Sequence, residues 1–267
     1  MPLLDGTRPL KRWRWVGIFG EDLMACAAIV QVGLARQSFW ALHMRGDQRG
    51  RLRGRTRMLP RRSELALTIG AAGSRDGRIE IRDRGVVLDV TLKEEPGFQT
   101  ICTHGEGRVW TRKQAGIPAD GTLSLDGGPE REVHALAVID DTSGHHARVT
   151  EWRWSAGVGT AADGSAVGWN LVSGVNDPPQ GSERAVWVDG VPTEAAPVSF
   201  SQDLSRVDCE DGSVLEFRAE AERRRRENLL IVRSDYRAPF GTFSGALPGH
   251  VELTGGLGVM EHHRAHW

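Results

Sequence analysis

RWRWVGIFG, residues 12–20, sets the terms for the whole chain. Trp13, Trp15, Gly17 and Phe19 fall on one side of the alternation, and Arg12 and Arg14 on the other. A period of two is what a pleated strand imposes, because successive side chains leave opposite faces. The same style continues through SFWALHMR, RLRGRTRML, RIEIRD and VVLDVTL, and returns in EVHALAVIDD, ARVTEWRW, AVGWNLVSG and AVWVDG. Gly, Asp and Pro separate these runs, as turn chemistry requires. Two segments, 87–95 and 214–227, also read as helix, the second beginning as a strand and ending as a short charged helix or loop.

The opening phrase has an echo. WRWVGIFG from Trp13 matches WRWSAGVG from Trp152, and RIEIRDRGVVLDV from Arg78 matches RVDCEDGSVLEF from Arg206 with one residue dropped. The matches keep their order and approximate offsets, which predicts an internal duplication of a β unit. The join is expected near residue 130, dividing the chain into units 1–130 and 131–267. Each unit holds enough strands for a closed or nearly closed antiparallel barrel, able to enclose a small ligand.

Composition narrows the classes. The 267 residues carry 34 Lys and Arg against 35 Asp and Glu, too balanced for a nucleic-acid coat. Gly is abundant at 33, Trp is high at 9, and there is one Tyr. Cys26, Cys102 and Cys209 show no CxxC spacing and read as small buried hydrophobes in a reducing compartment. The N-terminal MPLLDGTRPLKRWRW lacks a signal-peptide core, and the apolar run at 23–35 is too short to span a bilayer as a helix. The expectation is a cytoplasmic protein with no stable membrane insertion and no nucleic-acid partner; its oligomeric state stays open.

The densest chemistry lies at 139–159, IDDTSGHHARVTEWRWSAGVG. Read as a strand, it places His146, Arg148, Thr150, Trp152 and Trp154 on one face, a wall on which a flat ligand could stack. Asp140 and Asp141 precede DTSG, where one of them is expected to cap a turn. Trp169 and Asn170 lie in GWNLVSG; the Asn orients a ligand carbonyl or ties two strands together. In SERAVWVDG, Glu183 shares a face with Trp187. Glu183 is either a proton donor raised by desolvation or, more plainly, the partner of Arg148 or Arg153. GVMEHHRAHW carries Glu261, His262, His263 and His266. His262 and His266 have a metal-ligand spacing only on a helix, and the preceding glycines argue for strand, so Glu261 or one His is read as an acid or base at a barrel mouth. Arg51, Arg53, Arg55 and Arg57 share one strand face that binds a phosphate or lipid head group or, more plainly, is a charged edge strand, and Arg223 to Arg226 read as a solvated turn. No phosphate loop, nucleophile elbow or metal site is present in the pattern, and no cofactor is called for.

Several phrases carry a resemblance. KRWRWVGIFGEDL, AVIDDTSGHHARVTEWRWSAGVG, AVGWNLVSGVNDPP, SERAVWVDG and GLGVMEHHRAHW resemble the bacterial family known as domain of unknown function 2804, over essentially the whole chain. That family is distantly similar to lipocalin-like proteins of the carotenoid-hydratase and tocopherol-cyclase type. The resemblance implies an all-β fold of two consecutive lipocalin-like antiparallel barrel or sandwich units. It also implies acid-catalysed hydration or cyclisation of apolar isoprenoids, with no catalytic motif matched residue by residue.

The combined reading is a protein that binds a small apolar or conjugated ligand, of lipid or isoprenoid class, in a Trp-lined cavity, with HHARVTEWRW as the ligand-facing strand of the second barrel and the unit that holds the main cavity left open. Arg148, Trp152, Trp154, Trp169, Asn170 and Trp187 are the expected wall. The alternative is a cofactor-free hydratase, isomerase or cyclase using Glu183 or Glu261 as acid with His146 as its partner. A cavity on which carboxyls converge would count against a pure carrier.

Overall fold

The computed structural model describes residues 1–46, 51–58, 62–68, 76–104, 106–229 and 232–266. The end of the expected strand RLRGRTRML, at residue 59, and Trp267 of the closing phrase lie outside them. Every regular element among the described residues is a strand. None is a helix long and apolar enough to cross a membrane. A small hairpin pairs β1 (Leu4–Asp5) with β2 (Arg8–Pro9).

The first sheet is built from β3 (Lys11–Phe19), β4 (Leu23–Val32), β5 (Ala35–Met44), β6 (Leu52–Met58), β7 (Leu65–Thr68), β8 (Asp76–Asp83), β9 (Val86–Lys93), β10 (Phe98–His104), β11 (Gly107–Leu125) and β12 (Arg131–Gly144). Its order is β6-β5-β4-β3-β12-β11-β9-β8-β7, with β10 paired to β11. The second sheet uses β13 (Val149–Ala161), β14 (Ala166–Ser173), β15 (Ala185–Val188), β16 (Val191–Glu194), β17 (Val198–Phe200), β18 (Arg206–Cys209), β19 (Val214–Leu229), β20 (Val232–Leu247) and β21 (Val251–His266). Its order is β16-β15-β14-β13-β21-β20-β19-β18-β17.

Substituting β13 for β3, and so on outward, turns one order into the other. The paired phrases occupy equivalent strands: both WRW runs lie on the inner strand (β3, β13), and both RIEIRD-like hairpins on β8–β9 and β18–β19. The chain passes between sheets at 145–148. The turn near residue 130 lies inside the first sheet, because β12 pairs with both β11 and β3.

Each sheet curls into a half-barrel and stays open at its edges. The long central strands bend at bulges, between Ala115 and Ile117 in β11 and between Phe243 and Gly245 in the equivalent β20. An extra residue on one strand bends it and tightens its twist. Gly116 takes φ 78° there, a conformation a side chain would strain.

Alternation then sorts the cores. Val16 and Ile18 face into the first curl with Ile79, Ile81 and Leu88. Trp169, Leu171, Phe217 and Phe243 fill the second. Trp15, Phe19, Phe39, Trp154, Tyr236 and Phe240 form a third core between the two sheets. The three cysteines are free and buried.

The two segments that also read as helix are strands. Residues 87–95 fall largely in β9, and 214–227 fall in β19, whose alternating burial follows the sheet face and not a helical stripe. Arg53 and Arg55 sit on the edge strand β6, paired with Asp126 at 2.6 Å and Asp83 at 2.8 Å; Arg57 pairs with Glu64.

Candidate functional site

A cavity of about 340 Å³ opens between the two half-barrels. Its position differs from the interior of the second barrel, which HHARVTEWRW is expected to face: that interior is filled by Trp169, Phe217 and Phe243. The face of β3 turned away from its own curl meets the equivalent face of β13, so the cavity walls are two copies of one strand. Trp13 stacks on Trp152 with ring centroids 6.4 Å apart and planes 6° from parallel. Trp15 meets Trp154 edge-on at 5.0 Å. Phe39 and Tyr236 complete the aromatic lining, 6.0 Å apart.

Two polar clusters break this apolar surface. In the first, Lys113 on β11 is buried between Asp140 at 2.6 Å and Glu183 at 3.3 Å. Trp13 Nε1 also donates to Asp140 at 2.9 Å, as does Thr142 Oγ1 at 2.8 Å. Asn176 Nδ2 donates to Glu183 at 2.9 Å. Burial alone would lower the Lys113 pKa, but Asp140 and Glu183 hold it above its usual value. Burial pushes the Glu183 pKa upward, opposed by Lys113 and reinforced by Asp140. Glu183 precedes β15 in a loop tied down by the buried Arg184, which donates to the carbonyls of Asp177 at 3.1 Å and Pro178 at 2.8 Å.

The second cluster centres on Glu261 of β21. Trp152 Nε1 donates to Glu261 Oε1 at 2.8 Å, and the Tyr236 hydroxyl donates to the same carboxyl. Burial lifts the Glu261 pKa to about 7; the Tyr236 and Trp152 bonds oppose the rise and the Asp140 charge adds to it. Burial, with the Glu261 charge, keeps Tyr236 protonated well above its usual value. His263, 2.8 Å from Ser234 Oγ, is lowered to about 3 by burial and by the charges of Arg223 and His262, so it is neutral. Arg223 of β19 sits over Phe39, 3.9 Å from its centroid, and 4.8 Å from that of Tyr236. An acid that is half ionised at neutral pH, set among indole faces and a fixed cation, is suited to deliver a proton to an apolar ligand.

The structure brings Glu183, Glu261, Trp152 and Trp154 to this one cavity. Asn170 stands behind the wall, accepting from Trp154 Nε1 at 2.8 Å and donating to the Glu183 carbonyl at 2.7 Å, the strand-tying role. Trp187 packs in the inter-sheet core edge-on to Phe98. Trp169 belongs to the second curl, its Nε1 donating to Ser155. His146 is buried in the 145–148 connection, stacked on Trp13 at 5.2 Å and outside the lining. Arg148 is exposed in that same connection, one residue before β13 begins.

Three local readings change. Asp140 and Asp141 lie within β12 and cap no turn; the pleat sends Asp140 to the cavity and Asp141 into the first curl, against Arg14 at 2.9 Å and Arg112 at 2.6 Å. The partner of Glu183 is Lys113, not Arg148 or Arg153. The reading of Arg223 to Arg226 as a solvated turn also gives way, since Arg223 lines the cavity from a strand. Tyr236, Lys113 and the first-sheet indoles Trp13 and Trp15 were absent from the expected site. The duplication was the signal for the indoles: Trp13 and Trp15 are the counterparts of Trp152 and Trp154 in the repeated phrase. Tyr236, alone of its kind in the chain, offered no pattern.

The family model described as Domain of unknown function (DUF2804) matches residues 51–267. Comparison with curated proteins finds no match. Among solved structures, the chain is similar to a Nitrosomonas europaea protein described as an AttH, at 13% identity and TM-score 0.58, covering 96% of this chain and 92% of that one. It is similar to kievitone hydratase from Nectria haematococca at 12% identity and TM-score 0.59, covering 94% and 88%. It is also similar to CghA at 9% identity and TM-score 0.51, covering 96% and 88%. At such identities the likeness is one of fold, and the fold is lipocalin-like.

Proposed function

The chain belongs to the DUF2804 family, and from that premise and the cavity geometry we propose that it binds a small apolar, conjugated molecule between its half-barrels and protonates it. The reaction class is cofactor-free hydration, isomerisation or cyclisation. The observation that carries this reading is Glu261: a buried carboxyl with a pKa near 7, facing an indole-lined cavity and held there by Trp152 and Tyr236. A carrier has no need of such a group; Glu183, a second buried carboxyl, lines the same cavity beside Lys113. Kievitone hydratase, named as a hydratase, shares the fold and supports the class without fixing the substrate.

The chemistry balances without a cofactor. Glu261 gives its proton to one carbon of an alkene, and the adjacent carbon becomes cationic. The faces of Trp13, Trp15, Trp152 and Trp154 stabilise that cation while the apolar walls limit water. Loss of a neighbouring proton, or attack by a water that then sheds one, returns a proton to the Glu261 carboxylate.

The test begins with organic extraction of protein purified from its own host, to identify what co-purifies. The recovered molecule is then incubated with protein in deuterium oxide. Wild type should place deuterium on carbon, while Glu261→Gln should bind the molecule and leave it unlabelled. Labelling that survives Glu261→Gln would remove Glu261 as the acid, and absence of labelling in wild type would return the protein to the carriers.

A further inference from the structure

We propose that Arg223 is the specificity-determining residue of this cavity, and that the ligand is a flat apolar molecule bearing one anionic oxygen group of carboxylate type. This deepens the reading above and rests on it.

The face of β19 toward the cavity carries Arg223, Arg225 and Glu227, with Arg224 and Arg226 on the other face. Three cations of this hairpin are neutralised, and the exposed Arg218, Arg224 and Arg233 stand off the cavity lining. Arg225 pairs with Glu227 at 2.7 Å, Arg226 with Asp235 at 2.8 Å, and Arg237 with Glu222 at 2.9 Å. Arg223 lines the cavity and forms no ion pair among the described residues; its side-chain hydrogen bond goes to the neutral Thr56 Oγ1, at 2.9 Å. Its guanidinium carbon sits 3.9 Å from the Phe39 centroid and 4.8 Å from that of Tyr236, which holds the charge at the cavity wall.

No carboxyl of the lining pairs with it directly among the described residues. Lys113 is already matched by Asp140 and Glu183. His263 is neutral, and Glu261 is protonated below about pH 7. Of the lining cations without an ion pair among the described residues, Arg36 is exposed, whereas Arg223 is held over aromatic rings at the wall. A planar guanidinium with free donors recognises a carboxylate-like group in two-point fashion, and its stacking holds it ready to do so. One acid group at Arg223 and a conjugated body against the four indoles would orient a ligand toward Glu261.

The test uses two fluorescent probes with the same rings: anilinonaphthalene sulfonate, an anion, and phenylnaphthylamine, its neutral parent. Affinities are measured at pH 6 in moderate salt, which screens the exposed arginines. Wild type should prefer the anion by about tenfold or more, the worth of one good charge-assisted contact. Arg223→Met should abolish the preference while keeping the neutral probe, and Arg224→Gln, on the outer face, should retain it. Equal binding of both probes by wild type would overturn the role of Arg223, as would equal weakening of both by Arg223→Met, which marks a packing residue. If the neutral probe binds and the anion gains nothing, this inference alone fails. If neither probe binds, the ligand-binding reading fails with it.

Discussion

Trp13 and Trp152, the first indoles of the two WRW phrases, stack 6.4 Å apart with planes 6° from parallel. Each then donates its N–H to a carboxylate on its own sheet: Trp13 to Asp140 at 2.9 Å and Trp152 to Glu261 at 2.8 Å. Asp140 lies on β12 and Glu261 on β21, and these strands are equivalent in the two sheet orders. The repeat has thus placed one Trp–carboxylate pair on each wall, and the walls have diverged in charge. Asp140 acquired Lys113, while Glu261 acquired Tyr236 and a raised pKa.

That divergence is testable at Trp152. Its N–H stabilises the charged form of Glu261, so removing the donor should raise a pKa already near 7. Trp152→Phe should move it upward by roughly one unit, the worth of one hydrogen bond to a charged group. Carboxyl-carbon NMR titration reads the change directly. A pKa that stays or falls would show that burial alone sets it.

Two buried groups titrate near neutrality and pull stability in opposite directions. Glu261 is raised from 4.5 to about 7, so the folded state holds an extra proton between those values and stability falls as pH rises through that window. Lys11 is lowered by burial from 10.5 to about 7, so the unfolded state holds the extra proton between pH 7 and 10.5 and stability rises there. Together they predict a local minimum near pH 7. Glu261→Gln should flatten the acid limb by up to roughly 3 kcal/mol, and Lys11→Met should flatten the alkaline limb. Denaturant melts at half-unit pH steps measure both.

Lys113 lies between two carboxyls with almost no access to water. Lys113→Met strands them and should cost about 3–5 kcal/mol. Adding Glu183→Gln to Lys113→Met should recover part of that loss, because one of the stranded groups is then uncharged. A double-mutant cycle should give a coupling of about 1–3 kcal/mol. Simple additivity would mean that the pair is not coupled in solution.

Much of the architecture was legible from Trp13–Trp15 and Trp152–Trp154, since period-two alternation and a repeated phrase depend on local geometry alone. The cavity was less so. Alternation says that Trp154 and Arg153 leave opposite faces, but not which face meets the other half-barrel and which fills a curl. Glu261 was named because a carboxyl among histidines and glycines is conspicuous. Arg223 was dismissed because four consecutive arginines look solvated; only the pleat separates the one that stacks on Phe39 from its neighbours. Asp140 and Asp141 show the same limit, adjacent in sequence and facing different interiors.

The last prediction separates the indoles that hold the fold from those that form the cavity. Trp169 is fully buried in the second curl, edge-on to Phe243 at 4.9 Å. A side chain at Gly157 would collide with its ring. Trp169→Ala should therefore cost about 3–5 kcal/mol, and Gly157→Ala about 1–3 kcal/mol through overpacking. Gly157→Ala, the milder change, should leave affinity for phenylnaphthylamine unchanged in the fraction that remains folded. Trp152→Ala should do the reverse, weakening the probe severalfold at a smaller stability cost, because its ring is only partly buried and faces the cavity. Equal loss of probe binding in Gly157→Ala would mean that the second curl, and not the seam between the half-barrels, holds the ligand.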